Sequence, residues 1–177
     1  MLTDLEERRK QRLEEQKNAS KVQKTTSTFH GDSLKDAEGR SYILPPKNLQ
    51  PKPHKCYIPK KIVKAYVGHR KAVSVVRFYP KYGHMLLSGS YDTTVKLWDV
   101  NSNRKCLRTY NGHSEGVRDV CFTNDGLHFS SAAFDTLTHY WDTETGQVIN
   151  TFASEKIPFV VRFNPSPTHQ NILLIGG

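Results

Sequence analysis

A chain of 177 residues, 36% hydrophobic with mean hydropathy −0.62, can bury one modest core plus an extension, and no apolar run approaches the ~20 residues that span a bilayer. Its net charge of +9 divides into +5 over residues 1–60 and +4 over the rest, which suits acidic protein or nucleic acid as neighbours and also favours solubility. Three widely spaced cysteines (Cys56, Cys106, Cys121) without a CxxC pair point away from a disulfide framework or zinc site and toward a reducing compartment, and the charged start MLTDLEERRK is no secretory signal.

Residues 1–24 read as a charged helix or a disordered arm. Asp4–Arg8 and Glu6–Lys10 are i,i+4 pairs of favourable polarity, whereas Leu2, Leu5, Leu13 and Val22 are too few for a coiled-coil seam. The run Arg8-Arg9-Lys10-Gln11-Arg12 could serve nuclear import, although such clusters are common. Residues 25–60 form an extended linker or docking peptide, held extended by Pro45, Pro46, Pro51, Pro53 and Pro59. GRSYILPP (39–46) and KCYIPKK (55–61) carry apolar residues that a spacer does not need, so this stretch lies either along a neighbouring molecule or around its own domain.

From Lys61 a repeat begins. KIVKAYVGH (61–69) aligns with KCLRTYNGH (105–113), and AVSVVRF (72–78) with GVRDVCF (116–122). HMLLSGSYD (84–92) then matches LHFSSAAFD (127–135), and TTVKLWD (93–99) matches TLTHYWD (136–142). The Gly-His pairs recur after 44 residues and the Trp-Asp pairs after 43, the period and signature of a four-stranded propeller blade. Turns are expected at Tyr82-Gly83-His84, Asp92-Thr93, Asn124-Asp125-Gly126 and Asp135-Thr136. A third copy lacks Gly-His: QVINTF (147–152) repeats the fourth strand, PFVVRFNP (158–165) the next first strand and NILLIGG (171–177) the second. Residues 61–66 are expected to be an outer strand that closes the ring against a distant blade.

The fold class is therefore all-β: about two and a half blades of a WD-repeat β-propeller over residues 61–177. Propellers close with ~4–8 blades, so the expectation is a fragment of a longer chain or an incomplete gene model rather than an arc completed by a second copy.

Each full copy carries His, Ser, Asp and Trp: His69, Ser88, Asp92 and Trp98, then His113, Ser131, Asp135 and Trp141. The chain resembles WD-repeat propellers, and that resemblance implies a buried hydrogen-bonded tetrad within each blade. Recurrence in every blade favours a structural role over a Ser-His-Asp hydrolase centre, and no nucleophile elbow or phosphate loop accompanies it. No catalytic residue, metal ligand set, cofactor or small-molecule substrate is expected. Propellers bind partners on loop-bearing faces, so Arg70, Lys71, Tyr91, Ser114, Glu115 and Phe134 are candidate partner-binding residues, joined by Tyr42 and Tyr57 of the linker; Tyr91 and Phe134 could equally be packing between blades.

A narrower resemblance rests on GRSYILPP, KCYIPKKIVKAYVGHRKAVSVVRFYP, LRTYNGHSEGVRDVCF and WDTETGQVINTF, and on Lys156-Ile157-Pro158-Phe159 standing where the third copy lacks Gly-His. These segments are similar to the pre-mRNA-processing factor 17 family of WD-repeat splicing proteins, from about residue 37 onward. The resemblance implies a seven-bladed propeller, nuclear residence, a non-catalytic scaffold role in the second splicing step, spliceosomal protein partners, and proximity to snRNA and pre-mRNA. Thr138-His139-Tyr140 departs from the Val95-Lys96-Leu97 pattern, and the N-terminal region is shorter than the family's. The alternative is a WD-repeat adaptor of another complex, such as a ubiquitin-ligase substrate receptor or a ribosome-biogenesis factor.

Overall fold

A computed structural model describes residues 25–35, 38–47, 49, 58, 60–62, 64–100, 106–166, 168–169 and 171–177. The helix expected over 1–24, the basic run Arg8–Arg12, Cys56 and Tyr57 lie outside the described residues.

All regular structure among the described residues is β. The strands are β1 (Thr26–Phe29), β2 (Val73–Phe78), β3 (Met85–Ser90), β4 (Thr94–Asp99), β5 (Cys106–Asn111) and β6 (Val117–Phe122). They continue as β7 (His128–Ala133), β8 (Leu137–Asp142), β9 (Val148–Ala153), β10 (Val160–Phe163) and β11 (Leu173–Gly176). Pairing is antiparallel throughout. The orders β1-β5-β4-β3-β2 and β6-β7-β8-β9 are two four-stranded meanders, the first widened by β1, and β10-β11 begins a third. Each meander is a propeller blade, with tight turns between neighbouring strands.

Apolar residues decide how the blades stack. Val75 of β2, Val117 and Val120 of β6 and Phe129 of β7 are buried in one cluster with Leu87, Val95 and Leu97. The blades approach so closely at Gly89 that a Cβ there would lie 2.8 Å from Val117 Cγ1 and 3.0 Å from Val75 Cγ1, which is why this strand position holds glycine. Tyr110 at the end of β5 stacks edge-on to Phe129 and Trp141, with centroids at 4.8 and 5.5 Å, and donates to Thr143 O at 2.8 Å. Each such aromatic pair adds about 1 kcal/mol beyond its area. Asp119, which stands in an otherwise apolar row, ties three blades: Arg77 of β2 reaches it at 3.1 Å, and Arg162 of β10 and the Val161 N–H bond its other oxygen.

Two features differ from expectation or resolve an open alternative. The described residues 61–62 and 64–66 form no strand: Ile62 is 94% exposed, and a strand requires a neighbour to accept its backbone bonds, which no described segment supplies here. Tyr66 instead packs edge-on to Trp98 at 5.7 Å. The described part of the linker lies on its own blades. β1 pairs with β5, Ile43 is fully buried, and His84 Nε2 donates to Ile43 O at 3.0 Å.

Candidate functional site

Each blade carries its tetrad where strand, turn and loop meet. In the first, Trp98 Nε1 donates to Ser88 Oγ at 2.8 Å, Ser88 Oγ lies 2.7 Å from His69 Nε2, and His69 Nδ1 lies 2.9 Å from Asp92 Oδ2. The second repeats it through Trp141, Ser131, His113 and Asp135 at 2.9, 2.7 and 3.0 Å. One proton arrangement satisfies the chain: Ser accepts from Trp and donates to His Nε2, while His Nδ1–H donates to the carboxylate. Asp92 also accepts from the Arg70 N–H at 2.9 Å and from Thr94 Oγ1 at 2.6 Å; Asp135 accepts from the N–H groups of Ser114 and Leu137. Burial alone would raise both carboxyls. The hydrogen bonds outweigh it, chiefly Thr94 Oγ1, the Arg70 N–H and His69 at Asp92 and His113 at Asp135, so both titrate below the usual carboxylate range. Each serine hydroxyl is thus committed on both sides.

His139 sits beside the second tetrad, its ring centroid 4.4 Å from that of His113. Thr151 Oγ1 lies 2.8 Å from Nδ1, and Nε2 lies 3.1 Å from Gly112 O. Burial first, and then the proximity of His113, hold its pKa at about 4, so the ring is neutral near pH 7.

Tyr91 and Phe134, the residues preceding each tetrad Asp, meet at 5.9 Å. A bulge in β6 at Arg118 turns this side chain into the same rim. Its guanidinium donates to Tyr91 Oη at 3.2 Å and lies over the rings of Phe134 and Phe159 at 6.0 and 5.4 Å. Arg70, Lys71, Ser114 and Glu115 are exposed at the rim. Arg118 and Phe159 were not singled out by sequence, because nothing in the linear pattern marks a bulge. Tyr42 lies elsewhere, half-buried against the first blade, its hydroxyl 3.1 Å from both Thr143 O and Glu144 O. Among the described residues no group of three His, Cys, Asp or Glu could hold a metal ion.

A family model described as WD domain, G-beta repeat matches residues 60–99 and 104–142, stretches that hold one tetrad each. The chain carries two WD40 repeats. Similarity extends beyond these WD40 repeats. Over 154 residues, 84% of the chain, it is 47% identical to pre-mRNA-processing factor 17 of Mus musculus and equally to that of Homo sapiens, covering 27% of each. Over 153 residues, 83% of the chain, it is 37% identical to pre-mRNA-processing factor 17 of Saccharomyces cerevisiae, covering 34% of it. The chain therefore spans about a quarter to a third of the length of these relatives.

Proposed function

We propose that the chain is part of a nuclear, non-catalytic WD40 scaffold acting in pre-mRNA splicing at its second step, within a propeller of seven blades. The observation that carries this reading is identity of 47% over 154 residues, almost twice the stretch occupied by the two matched repeats. Propeller geometry alone would fit any WD40 adaptor; the likeness outside the repeats favours the splicing proteins. The tetrads support a structural role, since each serine accepts from a buried indole and faces an imidazole that already holds a carboxylate. Docking of spliceosomal protein falls to the rim of Tyr91, Arg118, Phe134 and Phe159, flanked by Arg70, Lys71, Ser114 and Glu115. Aromatic and Arg side chains grouped at one rim have the composition of binding hot spots, and the basic balance of the chain suits nearby RNA.

The test is immunoprecipitation of the endogenous protein through residues 1–60, followed by probing the recovered RNA for spliceosomal small nuclear RNAs and lariat intermediates. Enrichment of both supports the second-step scaffold. A precipitate that contains the protein but none of these RNAs overturns it and leaves a WD40 adaptor of another complex. Replacing Tyr91 and Phe134 by Ala in the complete protein should remove at least one co-purifying splicing protein; retention of all of them counts against the rim.

A further inference from the structure

The outer edge of the first blade carries a seat that the sequence pattern did not announce. Arg108, in β5, is only 5% exposed, although a buried guanidinium is costly unless its donors are met. Its Nη1 donates to Ser27 Oγ at 2.9 Å and to Thr145 O at 3.0 Å, and its Nε donates to Tyr42 Oη at 3.1 Å. The same cation lies over the rings of Phe29 and Tyr42, at 5.2 and 6.0 Å, which themselves meet at 5.0 Å. The N-terminal segment thus supplies two of three acceptor oxygens and both aromatic faces. Two further contacts complete the seat. The His30 N–H donates to Leu107 O at 2.8 Å, and Gly146, at φ +72°, leaves room for Ser27, whose Oγ would lie 2.1 Å from a Cβ added there.

The second blade provides the internal comparison. Asn150 of β9 takes the register position of Arg108, opposite Tyr140 as Arg108 is opposite Leu97. A short amide cannot reach two oxygens and two rings together. No described strand pairs with the outer edge of β9.

We propose that this edge is a recognition seat for an extended peptide of hydroxyl-x-aromatic pattern, keyed by Arg108 and filled by residues 26–30 and Tyr42 of this chain. Occupancy of the seat has a directional result. Thr26 pairs with Asn111, and Thr25 Cγ2 would lie 3.1 Å from a Cβ on Gly112, so Thr25 stands beside the loop that carries His113 and Ser114. The seat therefore holds Thr25 at the loop-bearing rim, whichever partner that rim receives.

Hydrogen exchange of the full chain, read by mass spectrometry, tests this. Arg108→Ala should raise exchange of the 27–30 amides at least tenfold while β7 amides stay protected; Arg108→Lys, which keeps the charge but loses the planar fork, should give an intermediate rise. Ser27→Ala, which changes no residue of either blade, should loosen the same amides by about threefold. Tyr110→Phe, a core change beside the seat, should leave them alone. Unchanged protection at 27–30 in the Arg108→Ala and Ser27→Ala chains overturns the proposal, and so does parallel loss at β1 and β7, which would make Arg108 an ordinary core residue.

Discussion

Arg118 of the second blade donates to the Tyr91 hydroxyl of the first at 3.2 Å, so the rim is built across a blade boundary rather than on one blade. Tyr91→Phe deletes the acceptor and keeps the ring, and should cost about 1 kcal/mol. Arg118→Ala also removes the cation from Phe134 and Phe159 and should cost about 2 kcal/mol. Equilibrium urea unfolding of the two variants and of their double measures both losses. A double variant no worse than Arg118→Ala alone is the expected result, since the hydroxyl acts through Arg118.

Ser131 joins Trp141 to His113 with both groups buried. Ser131→Ala leaves an indole N–H and an imidazole nitrogen without partners and should destabilise by about 2–4 kcal/mol. Ser88→Ala should cost less, because His69 is more open to water than His113. Thermal unfolding of the two single variants ranks them.

His139 makes stability depend on pH. Its pKa falls from 6.5 in the unfolded chain to about 4 when folded, so the unfolded state binds the extra proton first as pH drops. The contribution is complete above pH 6.5 and is lost as pH falls toward 4, a span of up to about 3 kcal/mol. His84, also lowered by burial, acts in the same direction. His139→Gln should flatten the fall between pH 6.5 and 4.5 without abolishing it, as read from urea midpoints at each pH.

Thr93 and Thr136 hold φ of +71° and +64°, a left-handed conformation that a β-branched side chain adopts at a cost of about 1–2 kcal/mol. Asparagine tolerates this region better. Thr136→Asn should therefore stabilise the fold by about 1 kcal/mol, read as a raised unfolding midpoint in a calorimetric comparison with the parent chain.

The blades were legible because their register repeats: once Gly-His and Trp-Asp recur with matched apolar rows, strand order and tetrad membership follow from alignment. Tertiary context wrote the remainder. Arg108 reads as one more basic residue in a strand until Ser27, Phe29 and Tyr42, far away in sequence, surround it. Phe29 and Ser27 themselves lie in TSTF, too short to signal a strand without the β5 edge to receive it. Tyr42 and Ile43 stood out as more apolar than a spacer requires, yet their place on the first blade depended on pockets formed by β8–β9 and His84. Residues 61–62 and 64–66 show the converse, strand-like composition with no described strand beside them. Asp119 carried a usable signal, a carboxylate in the row otherwise held by valine, which asks for a cation from each side.

That carboxylate faces two guanidinium groups, one from the first blade and one from the third. Arg77 and Arg162 are consequently rivals as well as allies: deleting either leaves the other sole claim on Asp119 and strengthens the bond that remains. Losses from the two single changes should then sum to less than the loss from both together. Through this shared counter-ion the third blade is thermodynamically linked to a side chain of the first, and a substitution at Arg77 retunes how firmly β10 is held.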